Sequence, residues 1–331
     1  GQTMTNMKKL GLSALAGSLV AFSANAAELS VAGGVELTYT DTGGNTGNEV
    51  TGNSYGANSS ITMTGSGDVG FGTVSMTRTI ADTAAGWGSS HQSLDMGDMG
   101  ILSFDSSAGG LVGVTANDDL MPTAYEEVST GVSSKGVTGL GSTNVIGYRN
   151  TFGMISVSAG YSQLGAQTAE SASSGAASHG SASDIYVSAS PIDGLTVGIG
   201  HSENTSTDIS ATSADTTEMV SNIVYSTGPV SVGYRYGQSN KGTASTASRV
   251  VEHMSIAFNV NDNFAISYGV QDTEKEAISA TTAVTEEVTG ISAAYTAGAA
   301  SVRVNHSKAD NDNGVTGVDD ETTEVSLVLS F

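Results

Sequence analysis

Read in steps of two, the chain sorts itself into short segments with one apolar face and one polar face. Over residues 28–40, Leu29, Val31, Val35, Leu37 and Tyr39 fall on one side, and Ser30, Glu36 and Thr38 on the other. Side chains alternate across a β-strand, so each such segment predicts a strand with an oily side and a wet side. The stretch Glu321–Phe331 is the plainest instance. Val325, Leu327, Leu329 and Phe331 share one face; Glu324, Ser326, Val328 and Ser330 share the other, with one valine as the exception. An apolar strand left as a free edge recruits other chains, so the pattern asks for a sheet that closes on itself. A sheet closed with its apolar residues outward is a transmembrane barrel, because lipid offers no partner to an open backbone edge.

Two kinds of connection alternate between the segments. Tight turns fall at Asp68-Val69-Gly70, Asp98-Met99-Gly100, Thr151-Phe152-Gly153, Pro191–Gly194, Thr227-Gly228-Pro229, Asn261-Asp262-Asn263 and Ala297-Gly298. Polar loops rich in Gly, Ser, Thr and Asn separate them near 41–56, 81–90, 162–183, 201–216, 237–248, 272–285 and 308–321. Short turns at one rim and long loops at the other characterise outer-membrane barrels, and this many connections needs about 16 strands. A barrel of that size encloses an aqueous channel. One connection is out of scale: Ser107–Ser142, the third long loop, shows no convincing alternation, and a loop of that length in a compact protein is functional or disordered.

Composition agrees with a wall more than with a globule. The chain holds 43 Gly, 3 Pro and no Cys, and 38% of it is hydrophobic. A barrel needs apolar residues only at alternate positions, so it hides in an average that reads as soluble. Met7-Lys8-Lys9, the apolar run Leu10–Phe22 and Ala24-Asn25-Ala26 have the order of a secretory signal with an A-x-A cleavage site, which gives a leader over 1–26 and a barrel domain over 27–331. Removing Lys8 and Lys9 moves the formal charge from −22 to −24 (−22 minus 2). So acidic a chain is not a nucleic-acid binder.

The alternating strand that ends on Phe331 looks like the C-terminal strand of Gram-negative outer-membrane proteins, in which the terminal aromatic is the signal read by the barrel-assembly machinery. Together with the alternation of turns and loops, the chain from Glu28 onward resembles the general diffusion porins, the trimeric, 16-stranded family. That resemblance implies an all-β, antiparallel barrel in the outer membrane of a Gram-negative bacterium, in contact with lipid and lipopolysaccharide. It also implies a homotrimer and passive passage of small hydrophilic solutes. The third long loop of such porins folds into the barrel and narrows the pore. Its implied counterpart here, Ser107–Ser142, carries Asp118, Asp119, Glu126, Glu127 and Lys135.

Parity assigns the remaining charges to faces. With Ile146 and Tyr148 outward, Arg149 is inward; Val232 and Tyr234 outward put Arg235 inward; Met254 and Ile256 outward put Arg249 and His253 inward; Val302 and Val304 outward put Arg303 inward. A charge on the lipid face costs about 2–4 kcal/mol at midplane, which alone accounts for the inward placement. The resemblance implies more: a basic wall of Arg149, Arg235, Arg249 and Arg303 across from the loop acids. Arg78 departs from the rule, sharing the face of Val74, Met76 and Ile80, which marks a rim, a subunit interface or a bulge.

The five histidines are scattered without metal spacing, and no nucleophile elbow, phosphate loop or dinucleotide fingerprint is present, so neither catalysis nor a cofactor is expected. The loop with Asp310, Asp312, Asp319 and Asp320 has the oxygen-rich chemistry of a calcium site, but not the EF-hand spacing; a solvated acidic loop is the simpler reading. The alternative to a channel is a secreted β-rich adhesin or surface-layer protein.

Overall fold

The computed structural model describes residues 26–45, 52–81, 87–107, 112–117, 120–132, 136–140, 144–164, 180–206, 215–241, 248–276 and 284–331. All but the last residue of the expected leader, and Asp118, Asp119 and Lys135, lie outside the described residues.

The chain runs through β1 (Ala26–Gly44), β2 (Tyr55–Asp68), β3 (Thr73–Ala81), β4 (Trp87–Asp95), β5 (Ile101–Ser107), β6 (Val145–Phe152), β7 (Ile155–Leu164) and β8 (Gly180–Ile192). It continues through β9 (Leu195–Ser206), β10 (Thr216–Thr227), β11 (Val230–Lys241), β12 (Arg249–Asn261), β13 (Phe264–Lys275), β14 (Glu286–Ala297), β15 (Ala300–Asp310) and β16 (Asp320–Ser330). Every strand pairs antiparallel with its sequence neighbours, and β1 pairs with β16 from Gly34–Ser330 to Gly44–Asp320. The result is a closed barrel of 16 strands, as the alternation of turns and loops predicts.

The hairpin turns fall where Gly and Asn predict them. Gly153 and Gly228 adopt φ of 64° and 54°, a region that a side chain disfavours and that tight hairpins require. The strands run further than the sequence pattern foretells. β1 spans 19 residues and reaches Gly44, inside the expected loop, and β15 reaches Asp310. About 9–11 residues suffice to cross a bilayer, so the excess continues the ladder beyond the membrane, where polar side chains no longer report the pleat.

Outward positions are apolar and exposed: Ile199, Ile223, Met254, Ile256, Tyr268 and Ile291 form part of a band around the barrel. Tyr39, Phe71, Phe152, Tyr161 and Tyr225 are exposed on it as well. Inward positions are polar, and Thr62–Thr79 and Thr64–Thr77 hydroxyl pairs (2.9 and 3.3 Å) bridge β2 and β3. No helix among the described residues is long and apolar enough to span a membrane, and crossing falls to the strands. Apolar burial is confined to small clusters where the β5–β6 connection meets the wall.

Candidate functional site

The described parts of the β5–β6 connection, expected to enter the pore, lie inside the barrel. They follow the inner wall from β6 around to β16, and three kinds of contact hold them.

The first is shape. Val112, Val114, Val128 and Val137 of the connection are each buried opposite an inward glycine: Gly147 on β6, Gly200 on β9, Gly290 on β14 and Gly237 on β11. A Cβ on Gly200 would sit 2.7 Å from Val114 Cγ2, and one on Gly237 would sit 2.8 Å from Val137 Cγ2. The missing side chains are the seats of the loop valines.

The second is charge-assisted hydrogen bonding, stronger than bonding between neutral groups. Asp184 Oδ2 on β8 accepts from the backbone N–H and the hydroxyl of Thr115 (3.1 and 3.2 Å). Glu218 Oε2 on β10 accepts from the N–H groups of Thr138 and Gly139 (3.1 and 2.9 Å). A segment outside regular structure must still satisfy its backbone, and here wall carboxylates do so.

The third is a clasp at the barrel seam. The phenol of Tyr125 donates to Glu324 on β16 (2.7 Å), with Glu36 on β1 3.5 Å away. Arg303 on β15 stacks over the ring at 5.1 Å, and Ser326 donates to Glu36. Burial, then the bond to Glu324, pushes the Tyr125 phenol up from its ordinary value, so it stays a neutral donor.

The candidate residues separate in this frame. Glu126 accepts from the Thr130 hydroxyl (3.2 Å), and Glu127 lies 4.0 Å from His253 Nδ1 on β12. His253 neighbours Arg235 on β11, and Arg235 is only 2% exposed, donating to Gln271 (3.4 Å). Arg149 is exposed on the inner face near the turn end of β6, whereas Arg249 opens β12 at the loop end. The four arginines therefore occupy the sector that the loop lines, at different heights, instead of forming one wall across the pore from it. Parity puts a residue inside but is blind to what covers it. The wall the connection leaves bare, β2–β5 with most of β1, has no inward Lys or Arg, and neither does β16: between Lys9 and Lys135 the chain has only Arg78, on the outer face of β3 with Val74 and Met76.

The acidic loop divides as well. Asp310 ends β15 and accepts from Lys308 (2.7 Å), Asp320 opens β16, and Asp312 is buried and accepts from the Asn313 amide (2.9 Å). Asp319 lies in the connection between the two strands. Among the described residues no group of three or more His, Cys, Asp or Glu is arranged to hold a metal.

Neither a protein-family profile nor a curated relative matches the sequence. Solved structures do. A loop-deletion mutant of OmpT, an outer-membrane protein of Vibrio cholerae, superposes with a TM-score of 0.67 at 15% identity, over 92% of this chain and 99% of that one. A refined porin structure gives 0.65 at 14% identity, over 92% and 100%. A mutant of Rh. blastica porin gives 0.60 at 13% identity, also over 92% and 100%. At such identities the likeness is one of fold, and the fold is that of the Gram-negative outer-membrane porins.

Proposed function

We propose that the chain forms a water-filled channel in the outer membrane of a Gram-negative bacterium, through which small hydrophilic solutes and ions diffuse passively with a weak preference for cations. The observation that carries this reading is the β5–β6 connection. It is built into the lumen along one sector while the opposite sector stays lined with hydroxyls and carboxylates. A barrel of 16 strands encloses water, and a fixed loop inside it narrows the passage without filling it. The reading is of a passive conduit and not of an enzyme. A soluble β-rich surface protein has no use for the apolar outer band.

We further propose a homotrimer. Arg78 stands on the outer face of β3 beside Ser90, which is 2% exposed and accepts from Gln92 (3.1 Å). A guanidinium facing lipid costs about 2–4 kcal/mol at midplane, and a neighbouring copy against β2–β4 would cover this face of the barrel. In-vitro folded OmpT of Vibrio cholerae, of the same fold at 13% identity, is described as a trimer.

Purified protein in a planar bilayer tests the channel. Stepwise conductance in KCl is expected, with a reversal potential under a salt gradient that favours cations. Absence of conductance from correctly folded protein would refute it, and an anion-selective potential would hand the constriction to the arginines.

A further inference from the structure

At the loop end of the barrel, side chains from three elements converge. Lys275 closes β13, Glu286 opens β14, and Asn313 lies in the connection from β15 to β16. The Lys275 Nζ donates to Asn313 Oδ1 (3.1 Å) and stands 3.9 Å from Glu286 Oε2. That same Oε2 accepts from the Asn313 backbone N–H (2.8 Å), so Glu286 fixes the residue whose side chain the amine approaches. The Lys275 side chain is 15% exposed and that of Glu286 is fully buried. On the outer face of β13, Val270 is followed by exposed Asp272 and Glu274, which puts this corner beyond the apolar band. Burial there pushes the Lys275 amine down and the Glu286 carboxyl up, each toward its uncharged form.

We propose that Lys275 and Asn313 join in an intramolecular isopeptide bond, with Glu286 as the proton carrier. Nζ attacks Asn313 Cγ, the Nζ–Cγ bond forms, and the Cγ–Nδ2 bond breaks with its electron pair on nitrogen. Of the three ammonium protons, one passes to Glu286, one goes to the departing nitrogen and one stays on the new amide. The proton on Glu286 then leaves with the ammonia as ammonium, so Glu286 ends as it began and nothing is oxidised or reduced. A lysine amine is an effective nucleophile when it is uncharged and held against its target, and this corner supplies both conditions. Asn313 is exposed, which gives ammonia a way out. The rival attack on Asn313 Cγ is by the backbone nitrogen of Gly314. That N–H donates instead to Asn311 O (2.9 Å), while the Lys275 stem runs alongside, its Cδ 3.5 Å from where a Cβ on Gly314 would stand. The bond staples the β15–β16 connection across β14 to the end of β13.

Peptide mapping of the full chain, extracted folded from an outer membrane, tests this. Trypsin cuts after Lys275 only while its amine is free, so the linked chain yields residues 250–303 joined to 309–331, lighter by one ammonia. Protein kept in denaturant from synthesis yields the separate peptides and gains the link on refolding. Glu286→Gln is expected to slow linking about a hundredfold or more, as loss of a positioned acid–base group does. Asn313→Ala abolishes the link, and a heat-modifiable band shows that each variant has folded. A separate peptide ending at Lys275 from folded wild type overturns the bond. So does loss of ammonia from a separate 309–331 peptide, which marks an imide with Gly314. Linking of Glu286→Gln at the wild-type rate overturns the role given to Glu286.

Discussion

At the scale of single residues the protein is governed by what glycine leaves out. Gly200 on the wall seats Val114 directly, and replacing it by valine puts methyl groups where the loop side chain already sits. Overpacking of this kind costs about 1–3 kcal/mol, and the cheapest relief is to lift the loop. Gly200→Val is therefore expected to give a channel that folds but conducts with larger and noisier steps in single-channel records. Tyr125 fixes the far end of the same loop. Tyr125→Phe keeps the ring under Arg303 and removes the bond to Glu324, so open-channel noise rises while assembly holds. The pH dependence follows from the raised phenol. A raised folded value means the bond's contribution is complete below the ordinary tyrosine value of about 10 and is lost as pH climbs from there toward the folded value. Wild-type noise is expected to stay flat up to that point and then to approach that of Tyr125→Phe; noise that rises already near neutral pH would remove this account of the clasp.

Among elements, the β5–β6 connection and β16 carry the sharpest expectations. Leu120 of the connection is 41% exposed, so a cysteine there accepts a bulky thiol reagent, and the labelled channel is expected to conduct less. Conductance unchanged after confirmed labelling would mean that this part of the loop stands clear of the current path. Directly after β16, the backbone of Phe331 exchanges two 2.9 Å bonds with Gly33, and its ring lies 2.8 Å from where a Cβ on Gly33 would be. Phe331→Asp is expected to lower the yield of folded barrel, read as loss of the heat-modifiable band, and to leave the conductance of whatever inserts as it was. These elements differ in how far the sequence foretold them. Alternation gave away β16 and most of the wall, since each strand writes its own face in steps of two. Length gave away the connection. Its seats stayed hidden, because Gly200 or Gly290 means nothing until a valine some 85–160 residues earlier arrives opposite it. The clasp was hidden for the same reason, and Arg235 read as pore-lining because parity ignores the loop that covers it.

For the whole molecule, read as a channel, the question is which charges a permeating ion would feel. Salt screens charges past about 8 Å, so only those lining the narrowest passage act on an ion there, and net charge is a poor guide to selectivity. Glu126, Glu127, Glu36 and Glu324 lie within the lumen, with Arg303 beside the last two. Amides in place of Asp118, Asp119, Glu126 and Glu127 are expected to shift the reversal potential toward zero, and the wild-type preference should fade as salt is raised. Arg78→Leu addresses assembly separately. If a neighbouring copy covers that face, the substitution weakens the oligomer band on unboiled gels while single barrels stay folded.

The clasp also sets an order of events. Tyr125 reaches at once to β1 and β16, the strands furthest apart in sequence, and its acceptor pair does not exist until those strands meet. Contacts of such long sequence separation form late because the chain entropy between them must be lost first. The tether at the seam is thus made only after the cylinder is shut, and a chain that stalls before closure keeps its loop seated on β6–β14 with the end at Tyr125 unfastened.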